Sequence, residues 1–307
     1  MITKRFLFPA IMLAMGLTLC QLTFGSAQSA DSAIETPVDD ATFEQIREFF
    51  EYDKDLPLDP KVFDKWPWRG PQVITKVSYR SVRGERVPAY LAIPKDYEEG
   101  SRLPAIVLMH GWNLFWGKNE DWAQAWLTIL TSNGYAVLAP DHFFFGERRS
   151  EDTSESDYNF GPYSKRDWMV QTVVDLRRGI DYLQQRPDID PQRIAVFGGS
   201  LGGWIGSVLA AVEPRIKTTV LTVPATDFAT EQTAPGMIVN SSNFFPRITS
   251  PLMVVMALQD VEKRNARMLE LIKLVRGKKK FIEYDEQHFL PPDKYNEDIL
   301  QWLKDNL

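Results

Sequence analysis

Around residue 200 the chain reads Arg193-Ile194-Ala195-Val196-Phe197-Gly198-Gly199-Ser200-Leu201-Gly202-Gly203-Trp204. This contains the pattern Gly-x-Ser-x-Gly, which chance places in roughly one chain in ten of this length, so the setting has to carry the argument. A short apolar run enters the motif, and a stretch with the small residues Gly206, Ser207, Ala210 and Ala211 leaves it. A strand turning at once into a helix holds a serine in a strained backbone conformation. It lifts the hydroxyl clear of the sheet, where the helix N-terminus favours developing negative charge. Glycines at 198 and 202 leave room for the chain to pass closely. The plainer alternative is a Gly-rich turn with an incidental serine.

A serine hydroxyl is a poor nucleophile until a base takes its proton. The chain has three histidines, His110, His142 and His288. His288 lies just after the last strand candidate and before the C-terminal helix, so its loop falls at the carboxyl edge of a parallel sheet, facing the serine turn. A third residue should hold the imidazole tautomer. Asp260, three residues past the apolar run Leu252–Ala257, gives the chain order Ser, Asp, His; Asp227 and Asp285 are its competitors. The oxyanion formed by attack needs two backbone donors. Leu201 N–H supplies one, and the loop His110-Gly111-Trp112 after Val107-Leu108-Met109 supplies the other through Trp112 N–H. His110 is read as fixing that loop.

These residues need elements to position them. Strand candidates are Val73–Tyr79, Val87–Ile93, Ala105–Met109, Ala136–Ala139, Ile194–Phe197, Thr218–Val223, Leu252–Ala257 and Phe281–Tyr284. The first two form an antiparallel hairpin across Arg83-Gly84-Glu85. The later ones are short and uniformly apolar, as strands buried on both faces of a parallel sheet are. Helix candidates at Asp121–Ser132, Lys165–Gln185, Leu201–Val212, Glu262–Arg276 and Pro292–Leu307 alternate with them, which gives one doubly wound α/β domain over residues 71–307. Residues 28–70, with one helix at Ala41–Glu51 and the Pro- and Trp-containing stretch Leu56–Trp68, read as an extension wrapping that domain.

The 307 residues are 44% hydrophobic with a formal charge of −6, which excludes disordered and fibrous classes and gives no footprint for nucleic acid. Residues 1–27 carry Lys4 and Arg5, an apolar run and then Gly25-Ser26-Ala27, the pattern of a secretory signal peptide. The expectation is export to the periplasm or the extracellular space, with no stable membrane insertion after cleavage; an uncleaved N-terminal anchor is the alternative. Cys20 is the one cysteine, and Leu19 before it is bulky for lipoprotein processing.

His110-Gly111 after a buried strand, the turn Gly198-Gly199-Ser200-Leu201-Gly202-Gly203, Asp260 and His288 together resemble α/β-hydrolases, in particular dienelactone-hydrolase-like and acetyl-xylan-esterase-like proteins. Val87-Pro88-Ala89-Tyr90-Leu91-Ala92-Ile93-Pro94 and the stretch Pro140–Arg148 are also similar to that group. The resemblance implies an α/β-hydrolase fold with a mostly parallel eight-stranded sheet, helices on both faces and no large lid domain. It also implies hydrolysis of carboxylic esters, short-chain or acetyl and including those of carbohydrates, through an acyl-enzyme on Ser200 with no metal or organic cofactor. Dienelactone hydrolase itself uses cysteine, so its lactone chemistry does not transfer. A small oligopeptidase-like serine peptidase and a non-catalytic binding protein on the same fold are the rival readings. Trp112, Phe115, Trp116, Phe143 and Phe144 are the aromatic residues expected to wall an acyl pocket, and Arg148 and Arg149 are candidates for holding a substrate carboxylate.

Overall fold

Short runs of Val, Ile, Leu and Ala with no polar interruption must be covered on both faces, and a parallel sheet flanked by helices does this. The computed structural model describes residues 35–66, 72–150, 161–226, 231–260 and 262–307. Its strands are β1 (Lys61–Trp66), β2 (Gln72–Arg80), β3 (Arg86–Pro94), β4 (Leu103–Met109), β5 (Ala136–Pro140), β6 (Ile189–Gly199), β7 (Ile216–Thr222), β8 (Leu252–Ala257) and β9 (Lys279–Tyr284). They form one sheet in the order β1-β2-β3-β5-β4-β6-β7-β8-β9. From β5 to β9 every neighbouring pair is parallel, whereas β1, β2 and β3 are antiparallel to their neighbours. The β2–β3 hairpin turns through Arg83 and Gly84, both at positive φ.

Helices α1 (Asp40–Glu48), α3 (Pro162–Gln184) and α4 (Leu201–Val212) share one core with alternate residues of the central strands: Ala105, Val107 and Met109 of β4 face Trp168, Met169, Trp204 and Ile205. Ile106 and Leu108 face the opposite way. They meet α2 (Asp121–Ser132) and the C-terminal helix through Trp126, Leu130, Trp302 and Leu303. The period of two along β4 is therefore the boundary between two helical layers. Between β7 and β8 lie the short α5 (Ser241–Phe244) and flanking 3-10 turns, whose Val239, Phe244 and Phe245 are buried against the body of the domain. Among the described residues there is no lid domain. α6 (Glu262–Leu274) and α7 (Asn296–Asn306) complete the fold.

The eight expected strands are present, with small differences at their ends, and a ninth, β1, precedes them. Val62 and Phe63 of this edge strand are both substantially exposed, so its sequence carries no inside–outside alternation to read. The C-terminal helix begins at Asn296 and not at Pro292, because Pro292–Lys294 makes a 3-10 turn first. In the N-terminal segment, Phe43 and Phe50 place their rings edge-on against Phe244, at 5.4 and 5.8 Å between centroids. The signal-peptide expectation for residues 1–27 lies outside the described residues. No helix among those described is long and apolar enough to cross a membrane.

One buried hydroxyl ties the layer under β6 together. Tyr295 Oη accepts from the indole N–H groups of Trp122 (3.0 Å) and Trp126 (3.1 Å), and Trp126 in turn stacks edge-on against Phe197, three residues before the serine. Tyr295→Phe leaves both donors without their acceptor while keeping the ring. A loss of about 2 kcal/mol in unfolding free energy, read from urea denaturation, is the expected outcome.

Candidate active site

Ser200 sits between the end of β6 and the first turn of α4 at φ 52, ψ −112, a left-handed conformation that costs a non-glycine residue about 1–3 kcal/mol. Its surroundings fix that geometry. Ser200 N–H donates to Thr222 O (2.9 Å) on β7, and Ser200 O accepts from Gly203, Trp204 and Ala225. A side chain at Gly198 would begin 2.2 Å from Gly202 O, and one at Gly202 would begin 2.3 Å from Met109 O. Both glycines are therefore required by contact, and the turn is pressed against the end of β4.

The structure brings the three expected residues together. Ser200 Oγ lies 2.9 Å from His288 Nε2, and His288 Nδ1 lies 2.7 Å from Asp260 Oδ2. The Asp260 side chain is buried, and His288 keeps partial access to solvent. Asp227 falls outside the described residues, and Asp285 accepts from Gln259 Nε2 at 2.9 Å, on the exposed side. One member was not foreseen: Arg264 Nη1 is 3.0 and 3.1 Å from the two Asp260 oxygens and 2.9 Å from His288 Nδ1. Its position four residues after Asp260, at the start of α6, is the signal that could have found it.

Leu201 N–H opens α4 and has no intrahelical acceptor. Among the described residues neither it nor Trp112 N–H takes an acceptor within the chain. The loop carrying Trp112 is held from below by the other two histidines, whose rings lie 3.8 Å apart. His110 Nδ1 donates to Gly111 O at 2.8 Å, leaving Nε2 to accept from His142 N–H; His142 Nε2 donates to His110 O at 3.0 Å. These partners fix one neutral tautomer for each ring. Burial pushes His110 down to about 3 and lowers His142 well below the ordinary imidazole range. A second support is the buried Lys118, paired with Asp141 (2.5 Å) and Glu147 (2.7 Å).

The pocket over Ser200 has a volume of about 250 Å³ and is lined by Trp112, Glu120, Trp122, Val223, His288 and Phe289 together with Gly111 and Gly199. Trp112 is where the sequence placed it. Phe115, Trp116, Phe143 and Phe144 do not line this pocket. Phe115 and Trp116 are more than half exposed. Phe144 turns away at φ 69 and stacks on Phe143 at 4.0 Å, beside a separate groove with Trp168. Trp122 and Phe289 take their place. Trp122 was hidden by its helical context, and Phe289 by its adjacency to the histidine. Arg148 is not available to a substrate: its guanidinium is buried against Asp175 (2.6 Å) and Glu85 (3.1 Å), while that of Arg149 lies 4.7 Å over the Phe115 ring.

The family model of the dienelactone hydrolase family matches residues 87–285. The chain belongs to that family. YtaP of Bacillus subtilis (strain 168) is 36% identical over 145 residues, 44% of this chain and 48% of YtaP. With a further match, to PA2218 of Pseudomonas aeruginosa, covering 47% of that protein, the chain spans about half the length of these relatives. Among solved structures, an acetyl xylan esterase from Paenibacillus sp. R4 superposes with a TM-score of 0.71 at 19% identity, over 90% of this chain and 98% of the other. A dienelactone hydrolase from Anabaena variabilis ATCC 29413 superposes with a TM-score of 0.60 at 17% identity, over 77% and 99%. These likenesses establish the α/β-hydrolase fold.

Glu120 is the acidic pocket residue that sequence reasoning missed. It stands at the N-cap of α2, but its side chain makes no cap; Oε1 instead accepts from Gly111 N–H at 2.5 Å. Burial pushes its carboxyl up to about 7, opposed by the Gly111 hydrogen bond and aided by the neighbouring Asp121. Between the ordinary carboxyl range and that value the folded chain holds a proton that the unfolded chain releases, so this group's contribution to stability is lost as pH rises through the window. Glu120→Gln keeps an acceptor for Gly111 but cannot ionise. Its unfolding free energy relative to the wild type should increase between about pH 5 and pH 8, and parallel urea curves across that range would contradict the assignment.

Proposed function

We propose that the protein is a serine esterase that hydrolyses short-chain or acetyl esters, sugar acetates among them, through an acyl-enzyme on Ser200. The observation that carries this reading is the continuous chain from Ser200 Oγ through His288 to the buried Asp260, at 2.9 and 2.7 Å, with the serine held at positive φ on the turn into α4. His288 Nε2 is placed to take the hydroxyl proton as Oγ attacks the ester carbonyl, and Asp260 to hold the proton on Nδ1 and balance the imidazolium. Leu201 and Trp112 N–H are the donors for the resulting oxyanion. The imidazolium then protonates the departing alcohol, and water, deprotonated by the same nitrogen, releases the acid.

Arg264 fixes the Asp260 carboxylate by both oxygens, and its charge also opposes the imidazolium, so the carboxylate serves two cations during the reaction. The acyl class is supported by structural neighbours that are acetyl xylan esterases and by a relative named acetyl esterase Axe7A from Xylanibacter ruminicola, 36% identical over 85 residues. The pocket is small, with Trp112, Trp122 and Phe289 among its walls, which suits a short acyl group. The signal-like pattern of residues 1–27 adds export to the proposal. Dipeptidyl-peptidase 5 of Porphyromonas gingivalis, 26% identical over 133 residues, favours amide hydrolysis as a second reading.

Hydrolysis of p-nitrophenyl acetate by the wild type and by Ser200→Ala tests the proposal. The variant should lose about 10⁴-fold or more in kcat, and a fluorophosphonate probe should label the wild type at Ser200 alone. Equal background rates in both proteins would remove the esterase reading. Comparable efficiency on matched amides and esters would favour the peptidase.

A further inference from the structure

Glu120 takes no part in the proposed proton relay; it holds Gly111 N–H, in the loop that carries Trp112, and shares the pocket with Ser200. Both of its carboxylate oxygens and Ser200 Cβ lie within 4 Å of the point where a Gly111 side chain would begin, so one small ester reaches both. Lys118, two residues earlier in the chain, is directed to Asp141 and Glu147 instead. Facing the carboxyl are Gly111 N–H, its neighbour Asp121, and Ser200 and His288 across the pocket. Among the described residues no cation comes within ion-pair distance of it. The remaining walls are the rings of Trp112, Trp122 and Phe289 and the side chain of Val223.

A carboxylate without a cation, in a pocket whose lining includes Trp112, Trp122 and Phe289, is an environment that favours an ammonium group by charge, with aromatic rings at hand to add to the attraction. Resting on the reading of Ser200 as nucleophile, we propose that this pocket selects esters bearing an ammonium group, with Glu120 as the counter-charge, and rejects esters bearing a carboxylate. A hydroxyl-bearing substrate would be served as well by the protonated acid. A cation is favoured by the ionised form, whose burial cost it offsets. Since burial pushes the carboxyl up to about 7, the selectivity should switch on as pH rises through neutrality.

The test compares isosteric pairs on the full chain: acetylcholine with 3,3-dimethylbutyl acetate, and the p-nitrophenyl ester of 4-trimethylammoniobutyrate with that of 5,5-dimethylhexanoate. The pairs place the charge on the alcohol side and on the acyl side in turn. At about pH 8.5 the wild type should prefer the cationic member of at least one pair by about tenfold or more in kcat/KM, mainly through KM, with the ratio falling towards one near pH 5.5. In Glu120→Gln the ratio should stay near one throughout. A wild-type ratio near one for both pairs at high pH overturns the proposal, as does a preference that survives in Glu120→Gln. If that variant is inactive, the pH dependence of the wild-type ratio decides alone. Hydrolysis of the neutral esters, and its loss in Ser200→Ala, tests the esterase reading separately, so the two can fail independently.

Discussion

The site depends on the contact between the Gly198–Gly202 turn and the end of β4. With Gly202 facing the carbonyls of Met109 and His110 at distances that no side chain could tolerate, the loop after β4 is brought beside Ser200. That proximity brings Gly111 and Trp112 into the pocket that Ser200 lines, beside the first turn of α4. The positive φ of Ser200 is the cost of this arrangement, and the bonds from β7 and α4 to its backbone keep it from relaxing. His288 and Asp260 arrive independently, from the loops after β9 and β8, because all these strands run parallel and their carboxyl ends share an edge.

Solvation sorts the three histidines. His110 and His142 are almost fully buried, each with a tautomer fixed by backbone partners, and burial disfavours their charged forms. They serve as uncharged struts under the loop after β4. His288 has about a quarter of its side chain open, between a buried carboxylate and the Ser200 hydroxyl. Residue type singled out three candidates; what separates His288 from the two buried struts is where its ring meets water and which side chains it meets.

Much of this was legible in the sequence because local rules and global fold agree. The uniformly apolar strands, the small-residue helix after Ser200 and the order Ser, Asp, His each specify a position along the sheet, and the sheet's topology converts order into proximity. Edge strand β1 escaped because exposure on both faces removes the alternation that marks a strand. The pocket walls escaped for another reason. Which of several aromatic residues faces a cavity depends on loop torsions such as φ 69 at Phe144, and loop torsions leave no period. Glu120 stands at a helix N-cap and Arg264 on a helix, positions that call for polar residues anyway, so nothing in type or spacing separated them from solvated side chains.

How the fold treats its other buried carboxylates sets Glu120 apart. Asp141 faces Lys118, Asp175 faces Arg148, Glu213 faces Arg177 and Arg215, Glu231 faces Arg267, and Asp260 faces Arg264. An unpaired buried charge is expensive, and removing one partner of such a pair is correspondingly destabilising. A chain that supplies a cation to each of these carboxylates, including the one beside its histidine, but gives Glu120 only a backbone N–H, leaves a carboxyl that either keeps its proton or takes a cation from outside. On the proposed reading of Ser200, whose pocket it shares, a substrate is the natural source of that cation, and the cost of ionising Glu120 alone then becomes a means of discriminating between substrates by charge.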